Sequence, residues 1–203
     1  MGRFERKKKS ERVSEILDAA LKVFNEKGFR NTTMEDIINE TSLSKGGFYH
    51  YFKSTNDILL AIMESESYFF YNMMLNEVAG LTKDELIHAI AESIIARIVR
   101  ENPSKKLFIM FFFEMLYKPE FIDKYIQIEE ETFVQMEQDI SKTTGITKDS
   151  LKRAAYDERM VFLARISSAI ILVYHIFPGK KMMKKNLHYV EDFFVRILED
   201  VFQ

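Results

Sequence analysis

Residues 33–53, TMEDIINETSLSKGGFYHYFK, constrain the fold more than any other stretch, because they predict two short helices separated by a tight turn. Thr33 is a favourable N-cap residue for the first helix, and Asp36 stands where its side chain can complete a capping box. Thr41 and Ser42 interrupt this helix, because short hydroxyl side chains favour turns. The stretch therefore predicts a helix, a turn and a second helix within 21 positions.

The second helix of this stretch begins at Lys45 and carries two consecutive glycines, Gly46 and Gly47, in its first turn. Ser44 precedes it and can cap its free amide groups. Each glycine lowers helix stability by about 1 kcal/mol relative to alanine. We interpret this loss as a requirement for close approach of the helix backbone to another molecule.

Residues 43–54, LSKGGFYHYFKS, resemble the helix-turn-helix signature of the TetR family of transcriptional regulators. The resemblance is specific over residues 10–63, and beyond them only the length and the helical layout fit. It implies an all-α fold with two domains. These are an N-terminal three-helix domain with the helix-turn-helix, residues 1–55, and a larger C-terminal helical ligand-binding and dimerisation domain, residues 56–203.

Three positions depart from the family pattern. Ile38 replaces a common alanine, which would place the two short helices slightly further apart. Ser42 replaces the usual glycine of the turn. Thr55 replaces a lysine that many members place on a DNA phosphate at the start of the next helix, so this chain lacks that cation.

The resemblance also implies which residues contact duplex DNA. Lys45 begins the second helix, where its ammonium group can reach a guanine edge or a phosphate. Ser44, Lys53 and the Thr33 cap with the Met34 amide are expected on phosphates, because helix N-termini bind anions. The expected DNA contacts are Thr33, Met34, Ser44, Lys45, Gly46, Gly47, Tyr49, His50, Tyr51 and Lys53.

The charge distribution supports this interpretation, although the net charge of −2 alone does not. Residues 1–60 carry 11 Lys and Arg against 9 Asp and Glu, whereas residues 61–203 carry 18 against 22. A run of basic residues considered alone is more often a solvated tail. Directly before a helix-turn-helix, phosphate binding is the better interpretation. The densest basic cluster is Arg3, Arg6, Lys7, Lys8, Lys9 and Arg12.

Apolar periodicity predicts helices along the whole chain. The first begins at Ser10 or Ser14, ends at Gly28, and carries a stripe of Val13, Leu17, Ala20, Leu21 and Phe24. The expected core of the first domain is Leu17, Leu21, Phe24, Ile37, Leu43, Phe48 and Phe52. Helices capped by Ser54, Thr82 and Asn102 are expected to follow. The last three predicted helices are 119–143, ended by Gly145, then 149–177 and 182–202.

The last two predicted helices each carry an apolar seam with alternating spacings of three and four. The seams are Leu163, Ile166, Ile170, Val173 and Phe177, and Leu187, Val190, Phe194, Ile197 and Val201. Such seams indicate either a bundle with a second copy of the chain or burial in the chain's own core. The residues leave these two alternatives even, and the resemblance favours a homodimer through the last two helices.

The sequence says less about a ligand. Residues 107–117 are predicted to form a helix that is apolar on every side. Such a helix can line an adaptable apolar pocket, but it is more often part of the ordinary hydrophobic core. Polar residues inside apolar helices are the better indicators of a binding site. The candidate ligand contacts are His88, Phe111, Glu114, Met115, Arg165, Tyr174 and His175. They predict a pocket for a small apolar molecule, aromatic or acyl-chain in character.

Composition excludes several other classes. The chain has no cysteine, which excludes disulfides, thiolate metal sites and cysteine nucleophiles. Its charged N-terminus is unlike a signal peptide, and its most apolar stretch, residues 166–177, is shorter than the roughly 20 residues of a membrane span. No membrane association is therefore expected, and the protein is expected in the cytoplasm.

An enzyme is the rival class. Glu85 and His88 have the spacing of a di-iron ligand pair, but a second such pair is missing and Glu85 also fits a capping box with Thr82. No catalytic motif, cofactor or metal is expected. The sequence therefore predicts a homodimeric regulator that binds a pseudo-palindromic operator, most simply a repressor released by a small hydrophobic ligand. An adaptor that never contacts DNA is the third alternative.

Overall fold

The computed structural model describes residues 2–78, 80–144 and 146–202, with side chains from Lys9 onward except that of Thr143. These residues contain eleven α-helices, a 3₁₀ turn at Phe29–Asn31 and no strand, which confirms the all-α fold. The helices are α1 Gly2–Lys27, α2 Met34–Ile38, α3 Lys45–Tyr51, α4 Thr55–Val78, α5 Lys83–Val99, α6 Pro103–Met115, α7 Pro119–Thr144, α8 Lys148–Ala155, α9 Glu158–Ile176, α10 Lys180–Lys185 and α11 Leu187–Phe202.

The chain divides into two compact units. The first unit is Met1–Glu66 with Glu101–Ile128, and the second unit is Ser67–Arg100 with Glu129–Gln203. This division differs from a single boundary at residue 55, because α6 packs against α1 and therefore groups with the N-terminal helices. Helices α4 and α7 each begin in the first unit and end in the second.

Helix α1 differs from its prediction in two respects. It begins at Gly2 rather than at Ser10 or Ser14. Its buried face is Ile16, Ala19, Ala20, Val23 and Phe24, whereas the predicted Val13, Leu17 and Leu21 are only half-buried. Both stripes have helical spacing and share two members, so periodicity alone does not decide which one faces the core.

Three of the seven residues predicted for the core of the first domain, Phe24, Ile37 and Phe48, are buried. Ile37 and Phe48 are fully buried, and the ring of Phe24 lies 5.3 Å from that of Phe29, edge to face. Leu43 and Phe52 are half-buried rather than fully buried, because Leu43 lies in the turn before α3 and Phe52 directly follows α3.

In the second unit, the predicted helix 149–177 is interrupted. Helix α8 ends at Ala155, and Asp157 caps α9 by accepting a hydrogen bond of 2.9 Å from the Arg159 amide. The predicted helix 182–202 is likewise divided into α10 and α11 at Asn186. Helices α5, α9 and α11 pack on one another, and the predicted stop at Gly145 lies outside the described residues.

Candidate nucleic-acid interface

The start of α2 is held by the predicted capping box. The Thr33 amide donates to Asp36 Oδ2 at 2.9 Å, and the Asp36 amide donates to Thr33 Oγ1 at 3.2 Å. Lys27 on α1 donates to Asp36 Oδ1 at 2.5 Å. This bond and the Thr33 amide together lower the pKa of the Asp36 carboxyl to about 2. Asp36 therefore stays ionised near neutral pH and fixes the N-terminus of α2, where the Met34 amide lies.

The turn between α2 and α3 is fastened to α1 at Ser42. Glu15 Oε1 accepts a hydrogen bond of 2.6 Å from the Ser42 amide, and Arg12 Nη1 donates to Ser42 Oγ at 2.8 Å. Arg12 also bonds Glu15 Oε2 at 2.7 Å. The contacts with Ser42, and then that with Arg12, lower the pKa of Glu15 to about 2. Arg12, assigned from sequence to the basic cluster, thus helps to position the turn.

This fastening has no signal in the local sequence, because Arg12 and Glu15 lie some 30 residues before Ser42. It also explains how the turn accommodates serine in place of the usual glycine. Among the described residues, every non-glycine residue has a negative φ, so Ser42 adopts an ordinary backbone conformation.

Helix α3 is capped by Ser44, whose Oγ accepts a hydrogen bond of 3.2 Å from the Gly47 amide, as predicted. The two glycines differ in their surroundings. A Cβ atom added to Gly47 would lie 3.2 Å from Ser44 Oγ, whereas one added to Gly46 would meet nothing within 4 Å. No contact within the described part of the protein therefore excludes a side chain at position 46.

The polar side chains predicted to contact DNA lie on the accessible side of α3 and its flanks. Ser44, Lys45, His50 and Lys53 are exposed, while Tyr49 and Tyr51 are half-buried. Phe48, assigned to the core, is fully buried. These placements put the predicted polar contacts within reach of a ligand outside the first unit.

Two of these cations already have partners. Lys45 forms an ion pair of 2.9 Å with Glu35, and both side chains are about 60% exposed, at 61% and 62%. The hydrogen bond to Glu35 raises the pKa of Lys45. Lys53 Nζ donates to the carbonyl oxygen of Tyr49. Exposed ion pairs of this kind exchange partners readily, so a phosphate can replace Glu35 on Lys45.

The predicted ligand contacts fall into two groups. Phe111, Glu114 and Met115 lie on α6 in the first unit, whereas His88, Arg165, Tyr174 and His175 lie in the second. The assignment of a ligand site to them stays a prediction.

Glu114 is a buried carboxylate that holds α6 against the 3₁₀ turn. It is 6% exposed, and its Oε1 accepts a bond of 2.5 Å from Arg30 Nε. Lys118 lies 3.7 Å from its other oxygen and donates to Asn56 at 3.0 Å. The group borders a cleft of about 430 Å³ that is also lined by Tyr117. Glu114 thus has a structural role within the first unit.

In the second unit, the predicted ligand contacts have diverse surroundings. Arg165 is exposed and pairs with Glu129 at 2.8 Å, and His88 is exposed on α5. Tyr174 is buried, and the ring nitrogen Nε2 of His175 lies 2.8 Å from the Ile98 carbonyl oxygen. Glu85 forms the predicted capping box with Thr82.

A second surface of note is apolar. On α9 and α11, side chains that face away from the chain's own core remain uncovered, and Phe162 and Phe193 lie 6.4 Å apart, edge to face. We call this set the α9–α11 face: Phe162, Val173, Ile176, Tyr189 and Phe193, which are 48, 44, 47, 67 and 39% exposed. By length and composition, α9 is also apolar enough to cross a membrane. One such helix is only weak evidence for a membrane span.

The seams predicted on these helices divide between the two alternatives. Leu163, Leu187 and Phe194 are buried in the chain's own core. Val173 and Phe177 are instead exposed, at 44% and 59%. Each helix therefore has one apolar side that is covered within the unit and another that is not.

The N-terminal region is similar in sequence to known bacterial regulatory proteins. Residues 16–62 match the family described as bacterial regulatory proteins, tetR family. The chain is 47% identical over 57 residues to an uncharacterized HTH-type transcriptional regulator, YfiR of Bacillus subtilis strain 168, and this match covers 28% of each chain. The matched part of this chain spans 46% of the length of a second curated relative and 25% of the length of a third.

Solved structures match over nearly the whole chain. GusR of Salmonella enterica has a TM-score of 0.62 at 18% identity, covering 94% of both chains. A TetR/AcrR-family regulator from Thermobifida fusca has a TM-score of 0.51 at 21% identity, covering 93% of this chain and 96% of the other. At these identities the likeness shows the fold.

Proposed function

Because residues 16–62 belong to the tetR family of bacterial regulatory proteins, we propose that this chain is a cytoplasmic transcriptional regulator that binds duplex DNA through α3. The observation that carries the proposal is the matched helix-turn-helix with an uncovered polar face on α3. The regulator acts most simply as a repressor, and a small hydrophobic ligand relieves its binding to the operator.

The geometry of α2 and α3 supports the proposed DNA contacts. The start of α2, capped by Thr33, presents free backbone amides, which suit a phosphate. Lys45 and Lys53 supply exposed ammonium groups, and Gly46 lets the backbone of α3 approach the groove. His50 lies on the exposed side of the same helix. We expect the remaining predicted contacts, Met34, Ser44, Gly47, Tyr49 and Tyr51, to surround these groups.

The α9–α11 face supports a homodimer through the last helices. When a second copy of the chain covers exposed apolar side chains on neighbouring helices, their removal from water stabilises the dimer by about 25 cal/mol per Å² of buried apolar area. A twofold pair of reading helices would contact two half-sites about 34 Å apart, one helical turn, in a pseudo-palindrome. The same burial accounts for the apolar composition of α9 without a membrane.

Release by a ligand requires that the ligand prefer a conformation in which the reading helices no longer match this spacing. Helix α4 is the expected link, because it begins next to the helix-turn-helix in sequence and ends in the second unit. The ligand is expected to be small and apolar.

The test is binding of the purified chain to DNA taken from beside its own gene. We expect specific retention of a duplex over random competitor, with an affinity that falls steeply as salt rises, and a dimer in analytical ultracentrifugation. Deleting Arg6–Lys9 should weaken binding and flatten the salt dependence. A monomer with no sequence preference at moderate salt contradicts the proposal and favours an adaptor.

A further inference from the structure

Arg100 is the C-cap residue of α5, and one nitrogen of its guanidinium group, Nη1, lacks a hydrogen-bond partner among the described residues. Its Nη1 has an accessible area below 1 Å² and, among the described residues, no acceptor. A buried polar group without a hydrogen-bond partner is unusual in a folded protein. The free-energy cost of burying such a group is larger when the group is charged. The position therefore calls for an acceptor that the described part of the chain does not supply.

The surroundings of Arg100 are aromatic. Its guanidinium carbon lies 4.0 Å from the ring centroid of Phe69 and 5.5 Å from that of Phe70. These contacts hold the guanidinium over the rings, so its N–H groups have a defined direction. All three residues belong to the second unit.

A second cation lies at the same ring. The guanidinium carbon of Arg97 is 4.9 Å from the Phe70 centroid. Both side chains therefore place guanidinium groups at the same ring, and an anion beside this ring would supply the missing acceptor for Nη1.

A purely structural explanation is available for comparison. Arginine near the C-terminus of a helix stabilises the helix dipole and can bond its last carbonyl groups. Nη1 of Arg100 bonds none of these carbonyls, so that explanation accounts for the charge and leaves the buried nitrogen unexplained.

We infer that Arg100, with Phe69, Phe70 and Arg97, forms a head-group site for a ligand that carries a carboxylate or another oxyanion on an apolar or aromatic body. The oxyanion accepts hydrogen bonds from Arg100, and the apolar body packs on the rings. The inference deepens the proposed function, on which it rests, because it adds a negative charge to the expected apolar ligand.

The experiment measures thermal unfolding of the full chain and of two variants, Arg100→Met and Arg153→Gln. Methionine keeps an apolar contact with the phenylalanine rings and removes the charge. Arg153 is the matched control, because it is an exposed arginine in the last turn of α8 in the same unit. The probes are phenylacetate, its neutral analogue phenylacetamide, and sulfate against chloride at equal ionic strength.

We expect a saturating oxyanion to raise the Tm of the wild type and of Arg153→Gln by about 3 °C or more, and phenylacetamide to have no such effect. Arg100→Met should lose this rise and keep or increase its Tm in oxyanion-free buffer, because a buried nitrogen without a hydrogen-bond partner has been removed. A response to phenylacetate that exceeds that to sulfate identifies an organic acid as the ligand, and equal responses identify an inorganic anion at the same site.

Two results overturn the inference. The first is that no oxyanion raises the Tm of the wild type by more than it raises the Tm of Arg100→Met. The other is an Arg100→Met variant that is destabilised equally with and without oxyanions, which supports the structural role alone. DNA binding without ligand is measured on the same preparations. If it persists while the oxyanion effect is absent, the inference fails and the proposed function stands.

Discussion

The helix-turn-helix of the first unit and the α9–α11 face of the second unit differ in what they leave at the surface. The first unit fastens its reading helices to α1 with polar contacts, such as Lys27 with Asp36 and Glu15 with Ser42. Its accessible groups on α3 are polar. The second unit leaves phenylalanine, valine and tyrosine side chains uncovered on α9 and α11. Each surface matches a different partner, because phosphates bind cations and amides whereas a second copy of the chain buries apolar area.

The largest expected effect is on the core beneath α3. Phe48→Ala removes a fully buried ring and should lower the free energy of unfolding by about 3–5 kcal/mol, measured by urea denaturation. Phe113→Ala in the same unit is the control, because this side chain is 50% exposed and its loss should have a much smaller effect. Equal losses for the two variants would contradict the assigned core.

The next effect concerns the α9–α11 face. Val173→Glu should leave the fold intact and weaken the dimer by at least about 100-fold, or about 3 kcal/mol, because a carboxylate would be buried without a partner. Val134→Glu on α7 is the matched control, since the two valines are similarly exposed, at 44% and 48%. Sedimentation at several concentrations measures the difference. A dimer of unchanged affinity in Val173→Glu would place the interface elsewhere.

A smaller effect separates stability from DNA binding. Gly46→Ala should stabilise the fold by about 0.5–1 kcal/mol, because alanine favours the helix and its Cβ meets nothing within 4 Å. The same variant should bind the operator more weakly, since the methyl group would stand between α3 and the groove. Improved stability with unchanged affinity would show that Gly46 does not approach DNA.

The smallest effect is a pH dependence at the turn. The pKa of Glu15 is lowered from 4.5 to about 2, so its contribution to stability is present above pH 4.5 and is lost as the pH falls toward 2. Glu15→Gln should therefore lose less stability over this range than the wild type in urea unfolding. Glu26→Gln, an exposed residue of the same helix, should follow the wild type. Parallel curves for all three proteins would remove Glu15 from the fastening of the turn.

Local signals accounted for much of the fold. The caps at Thr33, Ser44, Thr82 and Asn102 are where the sequence predicted them, because a capping residue bonds amides only two or three positions away. The sequence does not predict the division of helix 149–177 at Asp157, because no proline or glycine marks the break. The candidate ligand residues share only a polar character, which carries no information about which helices meet.

By itself, the sequence determined the helical class, the helix-turn-helix and the polar groups that α3 offers, because each depends on neighbours within a few positions. The tertiary structure alone decided which stripe of α1 is buried, that Arg12 and Glu15 hold the turn at Ser42, and that Arg100 lies over two aromatic rings. These are contacts between residues distant in the chain. Their geometry depends on how whole helices pack, which no local pattern specifies.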